Sequence, residues 1–146
     1  MNRLDGTLRD SSLPLDFGDG FTALFGAPLV ADNICENAVR AARQILNQVE
    51  NSAAAGEIPP TRIGLGLHAG PALGGNIGSA ERREYTVIGD VVNVAFRIEK
   101  LNKELGSKLL ISESVQHAMQ AAANDEAPAS LQLRGRQGQV RVYKLV

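Results

Sequence analysis

The chain has 146 residues, 44% hydrophobic and 21% charged, a balance typical of one folded domain and not of a disordered segment. Its formal net charge of -1 argues against a nucleic-acid binder, which needs a strongly basic surface. The single Cys35 cannot form an internal disulfide, and no apolar run is long enough to span a bilayer. We therefore expect a cytoplasmic chain without a membrane segment, although a longer parent could be membrane-anchored.

The N-terminal part predicts a polar segment, a hairpin and a helix. Residues 1–14 show no strand pattern. Apolar runs at 15–17 and 21–25 flank an Asp-Gly turn, which is typical of a β-hairpin with Asp19 at its tip. From Asp32, a predicted N-cap, apolar residues recur at helical spacing as far as Val49, before a polar stretch.

The middle of the chain predicts a strand, a glycine-rich connection, a second strand and a helix. Three apolar residues at 63, 65 and 67 alternate with Gly64, Gly66 and His68, so one face of this strand is nearly bare. Such a face lets a helix or another backbone approach closely. Residues 70–78 predict a bend or loop that leads into a strand at 84–88. A helix is then expected over 90–102, with Asp90 as its N-cap.

The C-terminal part predicts a strand at 108–111, a helix at 112–122, a loop at 124–130 and a final hairpin. The hairpin strands are expected at 131–134 and 140–145. Strands that alternate with helices and hairpins indicate an α+β sandwich, in which one sheet is covered by helices.

Asn93 and Arg97 are the leading candidates for chemistry, because they stand four residues apart on the predicted 90–102 helix. That spacing places both side chains on one face, while Val94 and Ile98 belong to a separate apolar stripe. Without further context, such a polar pair is more often solvated surface than a functional site. The polar candidates His68, Arg82 and Arg83 are interpreted as structural or surface residues, since a metal at His68 would need further His or Cys ligands.

The sequence motifs around these residues resemble those of a known family. The second half of the catalytic domain of class III nucleotide cyclases, the adenylate and guanylate cyclases, is similar to GLGLHAGPALGGNIGSAERREYTVIGDVVNVAFRIEKLN, and the second metal-binding segment of that domain is similar to GDGFTALFGAP. Several motifs in the right order are far more specific than a lone glycine pattern. The resemblance extends over residues 15–146 and leaves 1–14 as a polar N-terminal segment.

The resemblance implies a ferredoxin-like α+β sandwich, with a mainly antiparallel sheet covered by helices. Domains of this family pair head to tail, so that both partners contribute catalytic residues. The expected protein partner is therefore another cyclase domain, in a homodimer or a heterodimer. No nucleic-acid or membrane partner is expected.

The resemblance also implies a reaction and a set of residues. The expected activity is that of an adenylate cyclase, a phosphorus-oxygen lyase that converts ATP to cyclic AMP and pyrophosphate in intracellular signalling. Asn93 matches the asparagine that orients the ribose, and Arg97 matches the arginine that stabilises charge on the α-phosphate. The expected binding residues are Thr86 and Val87 at the nucleotide, and Asp19 at a site for two Mg²⁺ or Mn²⁺ ions. Arg134, like Arg136, could reach the terminal phosphates from a partner's hairpin, although basic residues on a terminal hairpin more often face water.

Two departures from the family pattern bear on activity. The residues before Leu15 do not match the family's first strand, which carries the first metal aspartate in motifs like F-x-D-x-x-G-F-T, so we expect one usual metal ligand to be missing. Leu15 itself stands where adenylate cyclases typically carry a lysine that contacts adenine. Phe96 replaces a residue that is commonly small, a milder change that packing can absorb.

Three functions remain open on the sequence alone. The first is the greater part of an adenylate cyclase domain, with guanylate cyclase as the alternative substrate class. The second is a non-catalytic partner or regulatory module, which contributes Asn93 and Arg97 to a composite site. The third is a purely structural dimerisation domain.

Overall fold

Eight strands and three helices make up the described part of the chain, which in this computed structural model comprises residues 12–16, 20–27, 32–79, 82–119, 129–132 and 139–146. The strands are β1 (Ser12–Asp16), β2 (Phe21–Phe25), β3 (Leu65–Leu67), β4 (Leu73–Ser79), β5 (Arg82–Ile88), β6 (Leu109–Ser112), β7 (Ala129–Gln132) and β8 (Gln139–Lys144). The helices are α1 (Ile34–Ala54), α2 (Asp90–Leu105) and α3 (Glu113–Ala118).

The strands form one mixed sheet and two hairpins. The four-stranded sheet has the order β3-β6-β8-β7, in which β3 and β6 are parallel and the other neighbours are antiparallel. The hairpins β1–β2 and β4–β5 each form a separate two-stranded ladder. The expected α+β class with a mainly antiparallel arrangement is confirmed, but the described strands make three ladders where one sheet was expected.

Strand β6 lies at the centre of the core, since all of its residues are buried. Leu110 packs in a cluster with Val94 and Ile98 of α2. Its neighbours Leu109 and Ile111 pack in clusters with residues of α1 instead. Because consecutive side chains of a strand point to opposite faces, α2 covers one face of the sheet and α1 covers the other.

Helix α1 forms because apolar residues recur every three or four positions, and it buries five of them: Val39, Ala41, Ala42, Ile45 and Leu46. The prediction that Asp32 is its N-cap is wrong. Asn33 occupies that position in a left-handed conformation with φ 55°, which asparagine tolerates, and makes no capping bond with its side chain. No helix of the described ranges has the length and apolar character needed to cross a membrane.

Helix α2 differs from the prediction at both ends. Gly89, and not Asp90, is the N-cap, while Asp90 lies in the first turn, where its charge favours the helix dipole. The helix also continues past residue 102 to Leu105. It ends there because Gly106 adopts a left-handed conformation with φ 60° and donates its backbone N–H to the Asn102 carbonyl oxygen.

The glycine-rich segment contains a strand that the sequence did not predict. The prediction of a bend or loop over 70–78 is wrong from Leu73 onward, because this stretch pairs with β5 in the register Leu73↔Ile88 to Ser79↔Arg82. Glycine has a weak preference for strands, but ladder bonds require only the backbone. The partner strand therefore overrides local preference.

Both terminal hairpins are confirmed, with shifted boundaries. Strand β1 begins at Ser12, within the segment expected to lack strand character, because its backbone pairs with β2 as far as Phe25. Strand β7 begins at Ala129, within the expected loop, because it pairs with β8. The remainder of that loop lies outside the described residues.

Candidate active site

Helix α2 has a buried face and an opposite polar face. Val94 and Ile98 are 1% and 0% exposed. Immediately before each of them stand Asn93 and Arg97, which are both exposed. They belong to a row of exposed residues at helical spacing, here named the polar stripe: Asp90, Asn93, Arg97, Lys100 and Glu104. The structure thus places the predicted pair together on the solvent side of α2.

A close backbone contact seats α2 on strand β3. A Cβ atom at Gly66 would lie 2.8 Å from the Ala95 carbonyl oxygen and 2.8 Å from Glu99 Cα, and closer still to the Glu99 amide nitrogen. No side chain fits between the strand and the helix at this point. The bare strand face that the sequence predicted is therefore the surface on which α2 rests.

A buried amide fastens the other end of α2 to the same strand. Asn102 is 3% exposed, and its Nδ2 donates to the carbonyl oxygens of Leu65 and Glu99, both at 2.9 Å. Its Oδ1 accepts a hydrogen bond of 2.9 Å from Ser107 Oγ. Asn102 is not among the residues predicted from the sequence, although one signal for it was present. Asn102 continues the four-residue spacing of Val94 and Ile98, so a polar residue stands in the apolar stripe.

The purine-reading candidates lie on the strand that leads into α2. The backbones of Thr86 and Val87 pair with Gly75 and Gly74 in the β4–β5 ladder. Gly89 alone separates β5 from α2, so Thr86 precedes Asn93 by seven residues along the chain. Strand β5 and the polar stripe are therefore adjoining parts of one strand-to-helix unit.

The remaining predicted site residues, Asp19 and Arg134, lie outside the described residues. The described strands on either side of Asp19 are β1 and β2, in keeping with the predicted hairpin. Across the described ranges, no group of three or more His, Cys, Asp or Glu side chains is placed to hold a metal ion. The metal site thus stays a prediction that rests on Asp19.

Comparison with known proteins decides the family. Residues 16–146 match the family described as "Adenylate and Guanylate cyclase catalytic domain". This chain belongs to that family. The match covers the polar stripe, the mixed sheet and strands β2 to β8, so the resemblance seen in the sequence is confirmed.

The relatives of this cyclase domain include enzymes named for both nucleotides. Adenylate cyclase 1 of Rhizobium meliloti is 33% identical over 132 residues, which cover 88% of this chain and 20% of that protein. The solved guanylyl cyclase Cya2 has a TM-score of 0.71 at 23% identity, covering 97% of this chain and 75% of that chain. The "non-canonical dimeric guanylyl cyclase domain" of RhoGC from Blastocladiella emersonii has a TM-score of 0.69 at 22% identity, with coverages of 97% and 76%. At these identities, the structural matches show a shared fold.

The curated relatives are much longer than the matched region. The chain spans about a fifth of their length, from 17% to 23%. The match therefore concerns only a small part of each of those proteins.

Proposed function

We propose that this chain is the greater part of an adenylate cyclase catalytic domain, which converts ATP to cyclic AMP and pyrophosphate. The observation that carries the proposal is the position of Asn93 and Arg97 on the polar stripe, while Val94 and Ile98 anchor the same turns in the core. A rigid helix that presents an amide and a guanidinium to solvent can position a nucleotide that a partner domain also contacts.

In the proposed reaction, the 3′-hydroxyl of ATP attacks the α-phosphorus of the same molecule, and Arg97 and Asn93 each have a role. The 3′-oxygen forms a bond to the α-phosphorus, the bond from that phosphorus to the bridging oxygen breaks, pyrophosphate leaves with the electron pair, and the 3′-hydroxyl proton passes to solvent. Arg97 donates paired, charge-assisted hydrogen bonds to the α-phosphate oxygens, where negative charge builds up. Asn93 holds the ribose so that the 3′-oxygen faces the phosphorus.

Thr86 supports ATP as the substrate. A threonine hydroxyl can both donate and accept a hydrogen bond, so it can serve the donor and acceptor edge of adenine, beside Val87. Guanylate cyclase remains the alternative, since the structural relatives include guanylyl cyclases. A Thr86→Val variant keeps the shape of the side chain and removes the hydroxyl. It should lower the preference for ATP over GTP by up to about 10-fold, because one lost hydrogen bond is worth about 0.5–1.5 kcal/mol.

A divalent ion, Mg²⁺ or Mn²⁺, is part of the proposal through Asp19. When bound, such an ion neutralises phosphate charge and polarises the reacting oxygens. Its carboxylate ligands would be Asp19 and residues beyond those the structure describes, since the described residues contain no ligand cluster. Arg134 is proposed to reach the terminal phosphates.

A second cyclase domain is proposed to complete the site, either a copy of this chain or a different domain. Support comes from the relative titled a dimeric guanylyl cyclase domain.

The test is cyclic AMP production from ATP with Mn²⁺ or Mg²⁺ by the purified chain, with GTP assayed in parallel. Arg97→Ala should lower kcat about 100-fold, which is typical for the loss of one donor to a developing anion. Lys100→Ala is the matched control, because it removes a cation from the same polar stripe one turn further along. It should keep near-normal activity. Equal losses in both variants would refute the assignment to Arg97.

The exposed Asn93 and Arg97 also fit a second function, that of a non-catalytic domain which completes another cyclase. In that case the chain would be inactive alone, and adding it to a complete cyclase domain would raise cyclic nucleotide production. The Arg97→Ala variant would give no increase. A purely structural dimerisation module, by contrast, would bind no nucleotide through Asn93.

A further inference from the structure

Three polar side chains meet where two parallel strands end. His68 follows the last residue of β3, Ser112 is the last residue of β6, and Ser114 lies in the first turn of α3. Because β3 and β6 run parallel, their carboxyl ends lie at the same edge of the sheet. Ser112 is 0% exposed there, so its hydroxyl depends on protein partners.

Short contacts connect these side chains to the backbone. Ser112 Oγ lies 2.9 Å from His68 Nδ1 and 2.8 Å from Ser114 Oγ. Ser114 Oγ donates a hydrogen bond of 2.7 Å to the Ala69 carbonyl oxygen, and also lies 3.4 Å from His68 Nδ1. The three short contacts make a continuous chain from the imidazole to the main chain of the next residue.

Each serine has only one proton to donate, and this sets the direction of the chain. The Ala69 carbonyl can only accept, so the Ser114 proton is directed to it. Ser114 Oγ must then accept from Ser112, whose single proton is thereby used. Ser112 Oγ must in turn accept from His68, which therefore carries a proton on Nδ1. With Nδ1 unprotonated, one of the three short contacts would contain no proton.

We propose that His68 is a positioning residue for the cyclase site, in the form protonated at Nδ1. Its hydrogen-bond chain through Ser112 and Ser114 holds the Ala69 carbonyl and so fixes the segment 69–72, here named the β3–β4 connection. The catalytic part of this inference rests on the proposed function, whereas the hydrogen-bond chain itself does not.

The β3–β4 connection lies against the start of α2. A Cβ at Gly70 would lie 3.6 Å from Val91 Cγ2, and one at Gly89 would lie 3.4 Å from the Pro71 carbonyl oxygen. Residues 89 and 91 precede Asn93 by four and two residues, and the same connection leads directly into β4, the partner of the strand that carries Thr86. Displacement of the connection would therefore reach both the helix and the strand of the candidate site.

The protonation state can be tested directly by NMR on the ¹⁵N-labelled chain. The chain contains only two histidines, and the exposed His117 serves as the internal reference. We expect the ring nitrogen signals of neutral His68 to show a proton on Nδ1. We also expect an NMR correlation between this proton and the Ser112 hydroxyl. Signals that show the proton on Nε2 alone would overturn the hydrogen-bond chain.

The positioning role is tested with matched variants. His68→Leu removes the donor, whereas His68→Asn keeps an N–H near the place of Nδ1, and His117→Asn is the control. We expect His68→Leu to shift the backbone amide signals of residues 89–93 and to lower kcat about 10- to 100-fold, since small misplacements of reacting groups have effects of this size. His68→Asn should keep the amide signals of residues 89–93 close to their wild-type positions and retain most of kcat.

The outcomes separate the inference from the proposed function. If the wild-type chain makes no cyclic nucleotide while His68→Leu still shifts the signals of residues 89–93, the proposed function fails and the positioning role holds. If those signals stay in place while kcat is unchanged or only stability falls, His68 is merely structural and the inference is overturned. Ser114→Ala provides a second check at an exposed position, where misfolding is not expected.

Discussion

Replacing Gly66 with alanine tests how α2 is seated on the sheet. The added Cβ would lie 2.8 Å from the Ala95 carbonyl oxygen and from Glu99 Cα. Ordinary contact begins near 3.4 Å, so helix and strand must separate by at least 0.6 Å. The opposing atoms belong to the helix backbone, so no side chain can rotate away to make room.

The expected cost follows from this separation. Overpacking of a well-packed core typically destabilises by about 1–3 kcal/mol, and a contact with rigid backbone should lie at the upper end. Alanine also restricts the unfolded chain, which offsets about 0.4–1 kcal/mol. We therefore expect Gly66→Ala to lower the free energy of unfolding by about 2 kcal/mol.

Urea denaturation measures this change, since a slope of about 1–3 kcal/mol/M converts it to a midpoint lower by about 1 M. Gly75→Ala is the matched control, because it lies in β4 and its added Cβ would meet no atom within 4 Å. It should unfold at or slightly above the wild-type midpoint. If Gly66→Ala falls within about 0.5 kcal/mol of the wild type, α2 is not seated by this contact.

Three further predictions concern the interior and the surface. Asn102→Ala should lower the free energy of unfolding, measured in urea, by about 2–4 kcal/mol, because it leaves buried hydrogen-bond partners unpaired. The control Lys103→Ala, at an exposed position, should change it by less than about 0.5 kcal/mol. Similar values for the two variants would contradict the role of Asn102 in holding α2 on β3. Lys108→Ala breaks an ion pair of 2.5 Å with Glu50, but the two side chains are 44% and 52% exposed, so a loss above about 1 kcal/mol would be unexpected. Burial, helped by a neighbouring glutamate, raises the pKa of the Cys35 thiol. Iodoacetamide should thus alkylate Cys35 more slowly in the folded chain than in urea at pH 8, and equal rates would argue against the shift. The pKa of the Cys35 thiol is higher in the folded chain than in the unfolded chain, so the folded state favours the protonated thiol. This contribution to stability is present at neutral pH and is lost as the pH rises through the folded pKa. The Cys35→Ser variant should not show this loss.

Local patterns predicted the elements whose stability depends on their own residues. The α1 and α2 helices follow from apolar spacing, and the hairpins at both ends follow from turn residues between apolar runs. The same spacing separated Asn93 and Arg97 from the buried stripe of α2. These predictions needed no knowledge of a distant residue.

Predictions were wrong where pairing with another strand, or the backbone conformation at a helix end, decides the structure. The glycine-rich stretch from Leu73 is a strand because β5 pairs with it, although its own residues favour a loop. Asp32 is a good cap by residue type, yet the chain turns at Asn33 instead. Residues 12–14 are strand because they pair with β2, and the helix continues beyond residue 102 until the left-handed Gly106 ends it.

The sequence by itself determined the family, the α+β class, and an amide and a guanidinium on one helix face, because these depend on motif words and short periodicities. Only the tertiary structure revealed what holds that helix in place. Asn102 binds a carbonyl 37 residues away, and His68 meets a serine 44 residues away. Hydrogen bonds over such separations depend on how strands and helices pack, and packing joins residues that no local pattern relates.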